Sequence, residues 1–242
     1  MPPLEPYSRG LSYSYALGLY PAMQALVNIP ERVSRVLISS KLGAGEGAQA
    51  LLETCRNFNI RVEEADRVLR RVSGKDNVFA AAVYRKESAA LDREKNHLVL
   101  VNPMDAGNLG TILRAALGFS YTQVALILPC ADKDEPQTVR AGMGALFSLN
   151  VAEFPDFETY QRFCGERAFY PFLLSDRALP LLEAVKLKKS PHSLIFGNEG
   201  SGLPDSFMDL GQQVMIEQSD KIDSLNLAIA AAVGMHAFKN IQ

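Results

Sequence analysis

The sequence predicts an α/β protein whose C-terminal part is a mostly parallel sheet with helices on both faces. Short apolar, β-branched runs alternate with stretches of helical spacing. The alternation stops once, at the polar stretch RKESAALDREKN (85–96), and then restarts. Glycine-containing blocks also follow several of the apolar runs. In parallel α/β sheets the loops beyond the strand C-termini are where ligands bind.

Taken in order, residues 33–38 (VSRVLI) form a β-branched strand and 48–57 (AQALLETCRN) a helix, with Ala and Leu at helical spacing. A second strand follows at 60–64, a second helix at 65–72 and a third strand at 78–84, giving a compact α/β domain over 1–88. Residues 89–96 are polar and read as a linker to a second domain at 97–242. There the expected order is a strand at 98–101, a helix at 109–119 with Gly107 and Gly110 crowding its start, and a strand at 124–128. A helix at 139–147, a short strand at 150–153, a helix at 157–164 and a strand at 168–174 come next. A strand at 193–196 ends at a glycine turn, and a last strand lies at 213–216. The Ala-rich run 224–239 closes the chain as a long helix, with Ser224 at its N-cap or in its first turn.

The bulk numbers exclude several classes. With 48% hydrophobic and 21% charged residues over 242 positions, the chain is ordinary for a soluble globular protein. No apolar run reaches membrane-span length, so no membrane partner is expected. The opening Met1-Pro2-Pro3-Leu4-Glu5-Pro6 has neither a basic region nor an apolar core, which argues against a signal peptide. Cys55, Cys130 and Cys164 are scattered and odd in number, against a disulfide framework and for a reducing cytoplasm. His97, His192 and His236 are far apart, so no metal site is expected.

The net charge of −2 does not advertise nucleic-acid binding, yet the first 88 residues carry an excess of Lys and Arg and the rest an excess of Asp and Glu. Arg56, Arg61, Arg67, Arg70, Arg71 and Lys75 cluster, either as a phosphate-facing surface or as a solvated helix face laced with Glu63, Glu64 and Asp66. Gly43-Ala44-Gly45-Glu46-Gly47-Ala48 fits a dinucleotide fingerprint with Glu63 and Glu64 downstream, which would make the chain a nucleotide-dependent oxidoreductase. Against this, Ser39-Ser40-Lys41-Leu42 separates strand from glycines where the turn should be immediate, so a flexible β–α loop is the better reading.

Three blocks carry more. Asn108-Leu109-Gly110-Thr111-Ile112-Leu113-Arg114 reads as a helix start at Gly110, with Asn108 suited to capping and Arg114 one turn along. Gly197-Asn198-Glu199-Gly200-Ser201-Gly202 is a glycine-flanked acid, and Ser224-Leu225-Asn226 precedes the terminal helix. In that order the blocks resemble the three motifs of the SpoU/TrmH family, the SPOUT class of S-adenosylmethionine-dependent RNA ribose 2′-O-methyltransferases. The stretch VRAGMGALF (139–147) resembles the family's connecting helix, and the likeness covers roughly residues 97–238. More weakly, the first 85 or so residues resemble the family's ribosomal-protein-like RNA-binding domain. Gly142, Ser120 and Glu217 depart from the family's usual serine, glycine and proline.

The resemblance implies a deep C-terminal trefoil knot, a homodimer joined at the knot helices, and methyl transfer from S-adenosylmethionine to a ribose 2′-hydroxyl of tRNA or rRNA. Arg114, Asn108, Glu199, Ser224 and Asn226 would carry catalysis, with Glu199 fixing Arg114 or the acceptor. The cofactor would rest on Gly197, Asn198, Gly200, Ile216 and Leu225, with Gly197 and Gly200 allowing close backbone approach. RNA would meet Arg61, Arg67, Arg70, Arg71, Lys75 and Arg140. The alternative is an RNA-binding protein that keeps the fold without turnover.

Overall fold

A computed structural model describes residues 4–240. Met1, Pro2 and Pro3 of the N-terminal stretch read above lie outside the described residues, as do Ile241 and Gln242. The chain forms two compact units. The first contains the residues up to Glu87 and also Asp132–Ser148; the second contains Ser88–Ala131 and the chain from Leu149 onward. A single cut at 89–96 therefore does not describe the contacts. Asp132–Ser148 groups with the N-terminal residues, and Leu91, inside the expected linker, is buried against Val99 in the core of the second unit.

The first unit holds β1 (Tyr13–Leu17), α1 (Leu19–Asn28), β2 (Val33–Ile38), α2 (Glu46–Asn57), β3 (Val62–Glu64), α3 (Asp66–Ser73) and β4 (Ala80–Arg85). Its sheet runs β1-β4-β2-β3, with β4 antiparallel to both neighbours and β2 parallel to β3. Tyr15, Leu37, Leu69 and Ala81 meet in its core. The expected helix at 139–147 is instead α5 (Pro136–Ala141) followed by a 3-10 turn at Ala145–Ser148. Met143 and Gly144 take positive φ between them, 52° and 76°. A Cβ on Gly144 would lie 2.8 Å from the Gln24 Cβ, so glycine is required where this segment meets α1. A buried polar cluster anchors the same segment. The Lys133 ammonium lies 2.5 Å from the Asp134 carboxylate, which also accepts the Tyr84 hydroxyl at 3.1 Å.

The second unit is built on β5 (His97–Val101), β6 (Gln123–Ile127), β7 (Asn150–Phe154), β8 (Ala168–Pro171) and β10 (His192–Phe196). All its ladders are parallel, in the order β7-β6-β5-β10-β8. The helices are α4 (Ala106–Gly118), α6 (Phe157–Cys164), α7 (Leu181–Lys186) and α8 (Leu227–Asn240). A small parallel pair joins β9 (Leu179–Pro180) to β11 (Val214–Met215). Every residue of β5, β6 and β10 is buried, as expected of strands covered on both faces. On one face Val99, Ala125, Ile195 and Tyr160 pack together; on the other, α4 packs against α8. Asp156 caps α6 by accepting the Thr159 N–H at 2.7 Å. No helix among the described residues is long and apolar enough to cross a membrane.

The N-terminal ends of the central strands are tied by neutral imidazoles. His97 Nδ1 lies 2.9 Å from the Tyr160 hydroxyl and Nε2 2.9 Å from the Asp92 carbonyl. His192 Nε2 lies 2.8 Å from the Tyr121 hydroxyl and Nδ1 2.8 Å from the Lys189 carbonyl. Burial, with the Arg167 cation nearby, pushes both rings down to about 4. An ordinary unfolded imidazole titrates near ~6.5, so the unfolded chain binds more protons between that value and about 4. The stability these rings provide is complete above the higher value and is lost as the pH falls through the window. From about pH 7 to about pH 5 each ring should therefore remove on the order of 2 kcal/mol of unfolding free energy. Urea titrations across that range should show the loss, and a folded His192→Asn variant should lose less by one ring's share.

Candidate active site

The strand order reverses between β5 and β10. The chain leaves β5 toward β6 and β7, and returns through β8 on the far side before β10 inserts beside β5. Such a switch point opens a crevice at the strand C-termini. The loops that follow β5 and β10 lie there side by side, and side chains lace them together.

Asn102, directly after β5, has φ 54°, a left-handed conformation Asn tolerates. Its side-chain amide donates to the Ile127 and Pro129 carbonyls at 3.3 and 3.2 Å. Its own carbonyl accepts the Asn198 amide from the loop after β10, at 2.8 Å. The Asn198 side-chain oxygen in turn accepts the Gly200 and Ser201 N–H groups at 2.9 and 3.1 Å, closing a tight turn. Gly197 needs its hydrogen, because a Cβ there would lie 2.2 Å from the Gly202 backbone carbon. Gly200 does not, since its Cβ would meet only Asn198 Oδ1, at 3.6 Å. Close backbone approach thus holds for Gly197 against its own turn and is not forced at Gly200.

Glu199 sits at the centre of this lacing. Its carboxylate accepts the Met104 N–H at 3.1 Å, the Asp105 N–H at 3.0 Å, the Asn108 amide at 3.4 Å and the Asn198 amide at 3.3 Å. Partial burial raises this carboxyl, but hydrogen bonds from the Met104, Glu199 and Asp105 backbone and from Asn108 outweigh it, and the group lies below its ordinary value. The expected Glu199–Arg114 pairing is not formed. Arg114 is exposed on α4 and makes no hydrogen bond or ion pair among the described residues. A carboxylate already holding four donors has no need of it.

The helix starts also differ from expectation. Asp105, not Asn108, caps α4, accepting the Asn108 N–H at 2.6 Å, and the helix begins at Ala106. Asn108 is thereby freed to join the site. Asn226, not Ser224, caps α8, accepting the Ala228 and Ile229 N–H groups at 2.9 and 3.3 Å. The Asn226 amide then donates to Asn108 Oδ1 at 3.0 Å. Asn226–Asn108–Glu199 is one continuous hydrogen-bonded chain. Ser224 is exposed with no such bond.

Beside this chain lies a cavity of about 350 Å³. Gly197, Asn198, Gly200, Ile216 and Leu225 all line it, and so do Glu199 and Ser224. Asn108, Asn226 and Arg114 stand outside the lining. Phe172, Leu173 and Leu174, which sequence reasoning did not single out, form an apolar wall. Asp105 and Asn102 were missed as well; an Asp three residues ahead of Asn108 was the available signal for a cap. Among the described residues no cluster of His, Cys, Asp or Glu could hold a metal.

The residues expected to meet RNA lie in the first unit and are mostly exposed. Arg61 pairs with Glu63 at 3.0 Å and Arg70 with Asp76 at 3.8 Å. Arg71 donates to the Leu4 carbonyl, while Arg67, Lys75 and Arg140 are exposed.

A model of the SpoU rRNA Methylase family matches residues 95–236, more than half of the chain. This chain belongs to the SpoU rRNA methylase family. It is 30% identical over 146 residues to an uncharacterised tRNA/rRNA methyltransferase of Synechocystis, a match covering 60% of this chain and 53% of that relative. The chain thus spans about half the length of that relative. Among solved structures, an AdoMet-bound rRNA methyltransferase from Sinorhizobium meliloti superposes with a TM-score of 0.76 at 24% identity, covering 94% of this chain and 87% of that one. An RNA 2′-O ribose methyltransferase gives 0.77 at 22%, covering 94% and 88%. The α/β fold with its mostly parallel sheet is therefore the SpoU fold.

Glu199→Ala would leave the Met104 and Asp105 N–H groups without their acceptor. It should destabilise this SpoU protein by about 1–3 kcal/mol at neutral pH. Because the carboxyl lies below its ordinary value, its contribution is complete above the ordinary carboxylate range and fades as the pH falls through the lowered one. Denaturant midpoints of the two proteins should converge in acid; equal midpoints at neutral pH would show that the carboxylate does not hold the loops.

Proposed function

We propose that this chain is an RNA 2′-O-methyltransferase that uses S-adenosylmethionine. The observation that carries it is the cavity at the β5/β10 switch point, walled by apolar side chains and glycine-turn backbone beside the Asn226–Asn108–Glu199 chain. The lining fits the cofactor. Phe172, Leu173, Leu174, Ile216 and Leu225 offer the surface an adenosine moiety needs, and the turn around Gly197 and Gly200 offers main-chain polar groups. The cofactor's sulfonium would supply an electrophilic methyl group.

The protein's share is positioning. Glu199 fixes the backbone ahead of α4, and that fixes Asn108. Asn226 holds the other side of Asn108. Arg114, six residues further along α4, keeps a free guanidinium. A guanidinium is a planar cation with a fork of N–H donors, so its fitting role is to orient the ribose hydroxyl and stabilise oxyanion charge as the proton leaves. Ser224, exposed at the cavity lining, would bond substrate or backbone.

The trefoil knot belongs to the same proposal. It is supported by the way residues around Asn226 close on Asn108, 118 positions earlier, while α8 packs on α4. A homodimer through α4 and α8 is supported by the exposed apolar side chains of Met104, Ile229 and Val233. The first unit, ribosomal-protein-like by resemblance, would grip tRNA or rRNA phosphates through Arg61, Arg67, Arg70, Arg71, Lys75 and Arg140. The scattered, buried Cys55, Cys130 and Cys164 suit a reducing, cytoplasmic setting.

Arg114→Ala should lower methyl transfer to total RNA by about 10²–10³-fold while leaving cofactor affinity nearly unchanged. Labelled-cofactor transfer and calorimetric binding measure the two. No transfer by the wild-type protein despite cofactor binding would sink the enzyme reading. An equal loss of cofactor binding in the variant would refute the acceptor-side role of Arg114.

A further inference from the structure

The parallel sheet has a second polar edge, at the N-terminal ends of β8 and β10, away from the switch-point cavity. A cleft of about 790 Å³ opens there, lined by Arg167, Phe169, Tyr170, Lys189, Ser190 and Gln212 among others. It is a built feature. The Gln212 N–H donates to the Phe169 carbonyl at 3.0 Å, and Gly211, at φ 60°, packs so close that a Cβ would lie 2.2 Å from the same carbonyl oxygen. The Tyr170 hydroxyl accepts the Lys189 N–H at 2.9 Å and donates to the Leu187 carbonyl at 3.3 Å, which fixes the loop bearing Lys189.

The charge in this cleft is not balanced. The Arg167 guanidinium is held by neutral groups only. Its Nη2 donates to the carbonyls of Lys95 at 2.6 Å and His192 at 2.8 Å, and its Nη1 lies 3.0 Å from His97 Nδ1. Its Nε is buried without a hydrogen-bond partner. Neither Arg167 nor Lys189 has an ion-pair partner among the described residues. The one acid on the lining, Glu166, is exposed. Ser190 adds an exposed hydroxyl. Two cations against the single carboxylate of Glu166 favour an anion with several acceptor oxygens, and the Phe169, Leu187 and Pro191 lining offers apolar surface beside it.

We infer that this cleft is a second binding site, for the phosphate group of a nucleotide, either free or within an RNA strand. Its ligand is held by Lys189 and Ser190, with the Arg167 cation adding positive charge beside them and the base or ribose against the apolar lining. The site is separate from the cofactor cavity and does not depend on the proposed reaction.

Calorimetric titration with orthophosphate, adenosine 5′-monophosphate and a short single-stranded oligoribonucleotide at low ionic strength tests it. Arg167 also ties strand ends together, so the exposed Lys189→Glu variant carries the comparison. The wild-type protein should bind the monophosphate, and Lys189→Glu should bind it roughly tenfold or more weakly, with the ligand-free melting temperature and the S-adenosylmethionine affinity unchanged. An oligoribonucleotide whose Lys189-sensitive affinity exceeds that of the monophosphate assigns the phosphate to RNA; equal affinities assign it to a free nucleotide. Absence of binding by the wild-type protein, or equal binding by the variant, overturns the inference. Methyl transfer that persists in that case leaves the proposed function standing.

Discussion

One carboxylate orders the C-terminal edge of the parallel sheet. β5 and β10 are neighbours, but the chain leaves them in different directions, so the loops beyond them have no ladder to hold them together. Glu199 replaces the ladder. It takes two backbone N–H groups from the loop ahead of α4, 94 and 95 positions away in sequence, and the amide of Asn108. Asn108 passes the connection on to Asn226, which caps α8. The glycine turn, the start of α4 and the start of α8 are thereby fixed by a single anion and two amides. An arrangement held this way needs little reorganisation when charge develops beside it, the property that makes preorganised dipoles effective.

The same economy accounts for the state of Arg114. An arginine paired with a carboxylate is a poor candidate for contacting a substrate. Here the carboxylate is occupied by N–H donors that also hold it below its ordinary titration range. The two opposite charges in the motif set are kept apart, and the cation stays available. The opposite edge of the sheet follows another rule: buried His97 and His192 stay neutral, and the positive charge there rests on Arg167 and Lys189. Between the two edges lie the central strands β5, β6 and β10, buried along their whole length.

Much of the second unit was legible because fully buried parallel strands are written as unbroken apolar runs; β5, β6 and β10 fall within about two residues of their expected limits. What escaped had physical reasons. β1 reads YSYAL, a hydroxyl-rich alternation, and α1 opens on Gly18 at φ 107° with Pro21 in its first turn, so neither looked regular. The helix expected across 139–147 is broken at Met143 and Gly144, which take positive φ where the segment packs on Gln24, more than a hundred residues away in sequence. The cavity-lining residues were legible as motif members. The partner of Glu199 was not, because its strongest competitors for hydrogen bonds are backbone amides, which every residue carries and no sequence pattern distinguishes.

The two glycines of the turn show how a motif can join unlike requirements. Gly197 answers to the fold: across the turn, Asn198 and Gly202 exchange backbone hydrogen bonds at 3.0 Å, and the chain passes too close for any side chain at 197. Gly200 answers to nothing within the turn, for a methyl group there would make only ordinary contact with Asn198. Both line the cavity, yet only the second leaves room that the fold itself does not use. Substituting Gly197 strikes the scaffold, and with it Glu199 and everything Glu199 holds. Substituting Gly200 alters the cavity wall while the turn stands, which makes position 200 the place where ligand fit and loop stability separate.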